Sequence, residues 1–136
     1  MTGFLLDTNI VSEIRKPKPH EAVWNWFNEL PPDRMFLSAV TLAELQKGVA
    51  ITRRQDATKA IAIEEWIDRI EASYSVLAMD GPCLRECARL MQGLSNTLSE
   101  DAMIAATARV HGLTVATRNE RDFANLGVAV LNPFKN

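Results

Sequence analysis

Short runs of consecutive apolar residues alternate along this chain with longer stretches whose apolar positions recur every three or four residues. The runs read as strands: Gly3 to Leu6, Met35 to Val40, Ser75 to Met79, Leu113 to Thr117 and Val128 to Leu131. Between them the spacing predicts helices. Ile10, Val11 and Ile14 lead to a stop at Lys16-Pro17-Lys18-Pro19. Further helices are expected over His20 to Leu30, Thr41 to Ile51, Asp56 to Ser73 and Pro82 to Leu94. In the fourth helix Ile61, Ile63, Trp66, Ile67 and Ile70 are available for packing, and Gly93, Ser95 and Asn96 mark the break after the fifth. Ala102 to Val110 is apolar nearly all round, the mark of a central buried helix ending at His111-Gly112.

Strands that are continuous apolar runs, each followed by a helix, argue for a parallel sheet covered on both faces. The expected fold is therefore α/β, an α/β/α sandwich around a mostly parallel sheet of about five strands. A chain of 136 residues suits one domain, taken as residues 1–136. In such sheets ligands sit beyond the carboxyl ends of the strands, so the residues just after each strand are the place to look for chemistry.

Acids stand there. Asp7 follows the first strand and Glu44 lies a turn beyond the second. Asp101 opens the buried helix, and Asp122 comes five residues after Thr117. Each has a structural use taken singly. Asp7 can cap a helix, Thr41-Leu-Ala-Glu44 fits a capping box, and Asp101 suits a first helical turn. Jointly they do not: two carboxylates about 4 Å apart repel by roughly 4 kcal/mol at an effective dielectric near 20. No His or Cys neighbours these segments, so the partner that reconciles them is a hard, oxygen-loving cation such as Mg²⁺ or Mn²⁺.

Composition changes this picture little. Apolar residues at 47 % and charged residues at 24 % describe an ordinary globular protein, no apolar run is long enough to span a bilayer, and the N-terminus does not read as a secretory signal. The expected location is the cytoplasm, without membrane attachment. The net charge of −2 runs against a nucleic-acid enzyme, but setting the four acids aside leaves 13 acids against 15 bases. Bases cluster at Arg15, Lys16 and Lys18, at Lys47, Arg53 and Arg54, and at Arg118 and Arg121. Cys83 and Cys87 share a helix face, a poor geometry for a disulfide, and read as buried hydrophobes. His111 suits a helix C-terminus rather than catalysis, and Trp24, Trp26, Phe27 and Trp66 read as core more than as a groove for a partner helix.

Four segments occur in order: Leu6-Asp7-Thr8-Asn9, Thr41-x-x-Glu44, Glu100-Asp101-Ala-Met-Ile104-Ala105-Ala106-Thr107-Ala108, and Thr117-Arg-Asn119-x-x-Asp122-Phe123. Together they resemble the PIN-domain ribonucleases of the VapC toxin family, the FitB-like branch in particular, over about Gly3 to Pro133. The resemblance implies a toxin of a type II toxin–antitoxin pair, a Mg²⁺- or Mn²⁺-dependent endoribonuclease using one or two ions. It implies that Asp7, Glu44, Asp101 and Asp122 form the catalytic, metal-holding ring, with Asp7 and Asp101 foremost. Thr8, Asn9, Thr117 and Asn119 would hold the carboxylates, and the division between Asn119 and Asp122 is open because some relatives carry Asp at the former place. Its implied partners are an RNA substrate, a small DNA-binding antitoxin, a second copy in a homodimer, and operator DNA in the higher assembly.

Two other readings compete. An inert PIN fold kept for binding alone would need no divalent ion. Phosphoryl transfer through a covalent Asp7 wants a second acid two residues on, and Asn9 stands there.

Overall fold

The computed structural model describes residues 2–94 and 99–135. Five strands, β1 (Phe4–Leu6), β2 (Met35–Ser38), β3 (Ser75–Leu77), β4 (Thr114–Ala116) and β5 (Val130–Leu131), form one sheet. Their order is β3-β2-β1-β4-β5, and every pairing is parallel. The expected α/β sandwich is the observed one. Seven helices accompany the strands among the described residues: α1 (Thr8–Arg15), α2 (Glu21–Glu29), α3 (Ala39–Arg53), α4 (Ala57–Ser73), α5 (Gly81–Leu90), α6 (Glu100–His111) and α7 (Glu120–Phe123).

Strand alternation sorts side chains onto two cores. From β1, Leu6 joins Ile10, Val23, Leu37, Val49 and Ile67 on the face covered by α1 to α4. Leu5 points the other way and joins Cys87, Ile104, Val115 and Phe123 beneath α5, α6 and α7. Ala102, Ala105, Ala106 and Ala108 are wholly buried, so α6 lies against the sheet with almost no side-chain standoff. Its ends are fixed by chemistry. Ser99 accepts a hydrogen bond from the Ala102 N–H, and Gly112 turns left-handed at φ 66° to let its own N–H reach Ala108 and Arg109.

Several expected boundaries move. The second strand stops at Ser38, because the Ser38 side chain caps α3 by accepting from the Val40 N–H. Thr41 is therefore inside the helix and the proposed capping box does not form, which leaves the Glu44 carboxylate free for another use. Ile61 is 56 % exposed, unlike Ile67 and Ile70, which are buried on the inner face of α4. The cysteines are buried and unbridged, as expected. Trp26, Phe27 and Trp66 pack against the first core, whereas Trp24 stays 43 % exposed. Of the break expected after α5, Gly93 lies in a turn at φ 79°, and Ser95 and Asn96 fall outside the described residues.

Candidate active site

Chain connections leave β1 toward β2 on one side and pair it with β4 on the other, so the topological switch lies between β1 and β4. Asp7 and Thr117 are the first residues beyond these two strands. The Asp7 N–H continues the ladder to the Ala116 carbonyl at 2.9 Å, which pins its backbone at the sheet edge.

The Asp7 side chain is held by three donors. Its Oδ1 accepts from the Thr8 N–H at 2.8 Å. Its Oδ2 accepts from the Thr117 hydroxyl at 2.8 Å and from Asn9 Nδ2 at 3.2 Å. Each of these bonds favours the ionised form, yet burial outweighs them and the carboxyl titrates above its ordinary value; the negative charge of Asp122 pushes the same way. Thr117 serves three partners, since its oxygen also accepts the Asn119 N–H at 3.0 Å and lies 3.4 Å from Asn9 Nδ2. Asn9 in turn accepts the Arg118 N–H at 3.3 Å, tying the loop after β4 to the start of α1.

Glu44 reaches the same rim from α3. The Thr8 hydroxyl donates to its Oε1 at 2.7 Å and lies 3.2 Å from the Thr41 hydroxyl. Burial pushes Glu44 up to about 7, and a hydrogen bond with the Glu100 carboxylate adds to this. Asp101 is pushed up to about 6, first by burial and then by the charges of Asp7, Asp122 and Glu100. Asp7 therefore lies within electrostatic reach of each of the other three predicted acids, though the four come from the end of β1, α3, α6 and α7. Asn119 contributes differently from the expectation for its side chain: its backbone N–H bonds Thr117, while its amide makes no cap to α7.

Two members of the site were not predicted. Glu100 shares a hydrogen bond with Glu44 and pairs with Lys47 at 2.8 Å. Glu100 was visible in the sequence as the neighbour of Asp101, and Lys47 as the base one turn along α3 from Glu44. Lys47 stays 69 % exposed and bonds Glu100; its attraction for Glu44 is the smaller one and is screened by solvent.

The donors are all hard oxygens. No three Asp, Glu, His or Cys side chains among the described residues stand close enough to grip one ion together. Mg²⁺ needs no such cage, because it keeps several waters and takes one or two carboxylates directly. Raised carboxyls with no buried Lys or Arg beside them among the described residues fit a divalent counter-ion.

Fold and site together define an α/β domain with a carboxylate centre at its switch point. The model of the PIN domain family matches residues 4–129, and the chain belongs to that family. It is 37 % identical over 140 residues to toxin FitB of Neisseria gonorrhoeae, covering 96 % of this chain and 97 % of that one. It is 34 % identical over 141 residues to VapC ribonuclease Y4jK of Sinorhizobium fredii, with 96 % and 97 % covered. The crystal structure of FitAcB from Neisseria gonorrhoeae superposes with a TM-score of 0.86 at 35 % identity, over 98 % of this chain and 99 % of that one. FitAB is also known bound to an IR36 DNA fragment.

Proposed function

We propose that this protein is the ribonuclease toxin of a type II toxin–antitoxin pair, cutting RNA phosphodiester bonds at the ring of Asp7, Glu44, Asp101 and Asp122. The observation that carries the reading is the gathering of acids at one sheet edge: Asp7 is held by Thr8, Asn9 and Thr117, Glu44 shares the same Thr8, and Asp101 is raised first by burial and then by the charges of Asp7 and Asp122. Divalent-metal dependence is general among PIN-domain ribonucleases, and Mg²⁺ or Mn²⁺, one or two ions, suits the oxygen donors here. Asp7 and Asp101 are the direct ligands in this reading, with Glu44 and Asp122 completing the ring, directly or through water. When bound, such an ion lowers the pKa of a water and offsets charge on the phosphate oxygens.

The chain's own residues do the positioning. Thr8, Asn9 and Thr117 fix both oxygens of Asp7, so its carboxylate meets the ion and the substrate in one orientation. Thr8 also orients Glu44, which at about 7 can hold or release a proton near neutrality. Asn119 supports the ring through its backbone, and Asp122 supplies the charge.

The proposed partners are RNA as substrate, a small DNA-binding antitoxin that restrains the site, a second copy of the chain, and operator DNA bound through the antitoxin. The names and titles of the similar proteins support a toxin paired in this way. The proposed organisation is one PIN domain acting in the cytoplasm; no described helix is long and apolar enough to cross a membrane. The test is cleavage of a mixed set of RNAs with Mn²⁺ by the wild type, Asp7→Asn and Asp101→Asn. Loss of cleavage in both variants and with chelator is expected. Equal activity in wild type and variants, or activity that survives chelation, overturns the proposal.

A further inference from the structure

Beside the acid ring lies an open cleft of about 880 Å³ into which both Asn119 and Asp122 face. Its walls come from opposite ends of the sequence. One wall is the Lys16-Pro17-Lys18-Pro19 segment after α1, and the other is the loop from Arg118 to Arg121 with the C-terminal turn at Phe134 and Lys135. Two basic clusters that are a hundred residues apart in sequence thus face each other across one space.

Both walls are built. Glu13, buried, accepts the His20 N–H at 2.9 Å and pairs with Lys16 at 2.9 Å, which closes the proline-rich segment against α1. Asn132, also buried, contacts the Arg118 carbonyl at 3.5 Å and accepts the Phe134 N–H at 2.9 Å, joining the opposite loop to the C-terminal turn. The charge left over is positive. Lys16 is matched by Glu13 and Lys135 by Glu120, but Lys18, Arg118 and Arg121 make no ion pair among the described residues. Arg118 lies over the half-buried Phe134 ring at 4.9 Å, and exposed His20 lies 5.1 Å from the same ring.

We propose that this cleft takes the single-stranded RNA flanking the scissile bond, with Lys18 and Arg121 on phosphates and the Arg118–Phe134–His20 tier stacking a base. The inference rests on the nuclease reading and deepens it, naming where the strand runs. Surplus cations in a groove beside planar side chains are what a sequence-tolerant single-strand site requires. An acidic polypeptide segment would use the cations but has no need of the aromatic pair, whose rings are tilted at 59°, and the cleft's continuity with Asp122 brings its occupant to the reacting phosphate.

The test uses a fluorescein-labelled single-stranded RNA of roughly twelve nucleotides, followed by anisotropy in chelator so that binding is read without cleavage. Lys18→Ala/Arg121→Ala is expected to bind roughly tenfold more weakly, with the slope of log K against log salt shallower by about 1.4, as two lost phosphate contacts on a single strand require. Phe134→Leu, which keeps an apolar side chain against the core, is expected to weaken binding several-fold with the slope unchanged. In Mn²⁺-supported cleavage the loss in kcat/KM is expected in KM. Arg54→Ala/Lys59→Ala, which removes equal charge outside the cleft, is expected to match wild type. If wild type cleaves RNA and the Lys18/Arg121 variant binds it with unchanged affinity and slope, this inference fails and the nuclease reading stands. Unchanged RNA binding with lost affinity for a labelled polyglutamate peptide overturns it in favour of an acidic protein segment. A wild type that neither binds nor cuts RNA sinks both readings.

Discussion

Replacing Thr117 by valine removes one hydroxyl at the centre of the site and keeps the side-chain volume. That hydroxyl is fully buried, donates to Asp7 Oδ2 at 2.8 Å and accepts the Asn119 N–H at 3.0 Å. Asn119 is exposed, so water can replace the second bond, but nothing replaces the first. A hydrogen bond to a buried ionised group contributes about 1.5–3 kcal/mol, so the variant should lose about 2 kcal/mol wherever Asp7 is charged. The sign with pH follows. Asp7 already titrates above its ordinary value because of burial, and the Thr117 bond is the strongest influence opposing that rise. Without it the carboxyl rises further, so the deficit is full at alkaline pH and closes as pH falls and Asp7 takes up its proton in both proteins. Urea midpoints in chelator at about pH 8 and at about pH 3.5, below the ordinary carboxylate value, measure this, with m-values checking that only stability has changed. Thr117→Ser, which retains the hydroxyl, should recover most of the loss. A valine variant within about 0.5 kcal/mol of wild type at the higher pH, or an equal deficit at both, would refute the assignment of that bond.

Three further outcomes are expected. In chelator the melting temperature should fall as pH rises through 6 and 7: Asp101 at about 6 and Glu44 at about 7 keep protons in the folded state that the unfolded chain, at its ordinary 3.8 and 4.5, has shed. Their stabilising contribution is thus complete below the unfolded values and lost above the folded ones, and Glu44→Gln should flatten the upper part of that fall in a calorimetric pH series. Adding Mg²⁺ at about pH 8 should raise the melting temperature of wild type and leave Asp7→Asn unmoved, since only a ligand bound by the folded state stabilises it. Phe123→Ala empties a fully buried position on the short α7 beside Asp122, and denaturant curves should show a loss of about 3–5 kcal/mol.

Most of the architecture was legible because it is written in short-range pattern. Continuous apolar runs such as Phe4–Leu6 and Met35–Leu37 announced buried parallel strands, and the alanine-rich α6 announced a helix against the sheet. Boundaries were less legible where a polar residue has two possible uses. Ser38 ends β2 and caps α3 with one hydroxyl, and Thr41 looked an equally good cap until tertiary contact with Thr8 gave its hydroxyl another neighbour. The four-residue α7 has no period to read, and Ile61 follows the apolar rhythm of α4 yet faces water. At the site, acids placed after strands could be found by rule. Glu100 and Lys47 stand beside predicted acids in the sequence, but their pairing depends on α3 lying beside the start of α6, a contact no local pattern encodes.

The arrangement also explains why the fold carries a ring that works against its own stability. Burial raises Asp7 despite three hydrogen bonds, and mutual repulsion adds to the elevation of Asp101. A lysine set between them by the fold would relieve this strain and would occupy the place proposed for a divalent ion. The lysine that does reach the rim, Lys47, is engaged by Glu100 at the exposed edge, and Glu100 in turn contacts Glu44. Positive charge is instead displaced sideways, onto Lys18, Arg118 and Arg121 in the neighbouring cleft. In the proposed reading, separation of the two charges by one loop would let a single surface hold a cation at its acids and a polyanion at its bases. A sequence of net charge −2 can thereby present a local basic groove, and the sum over the chain says little about what it binds.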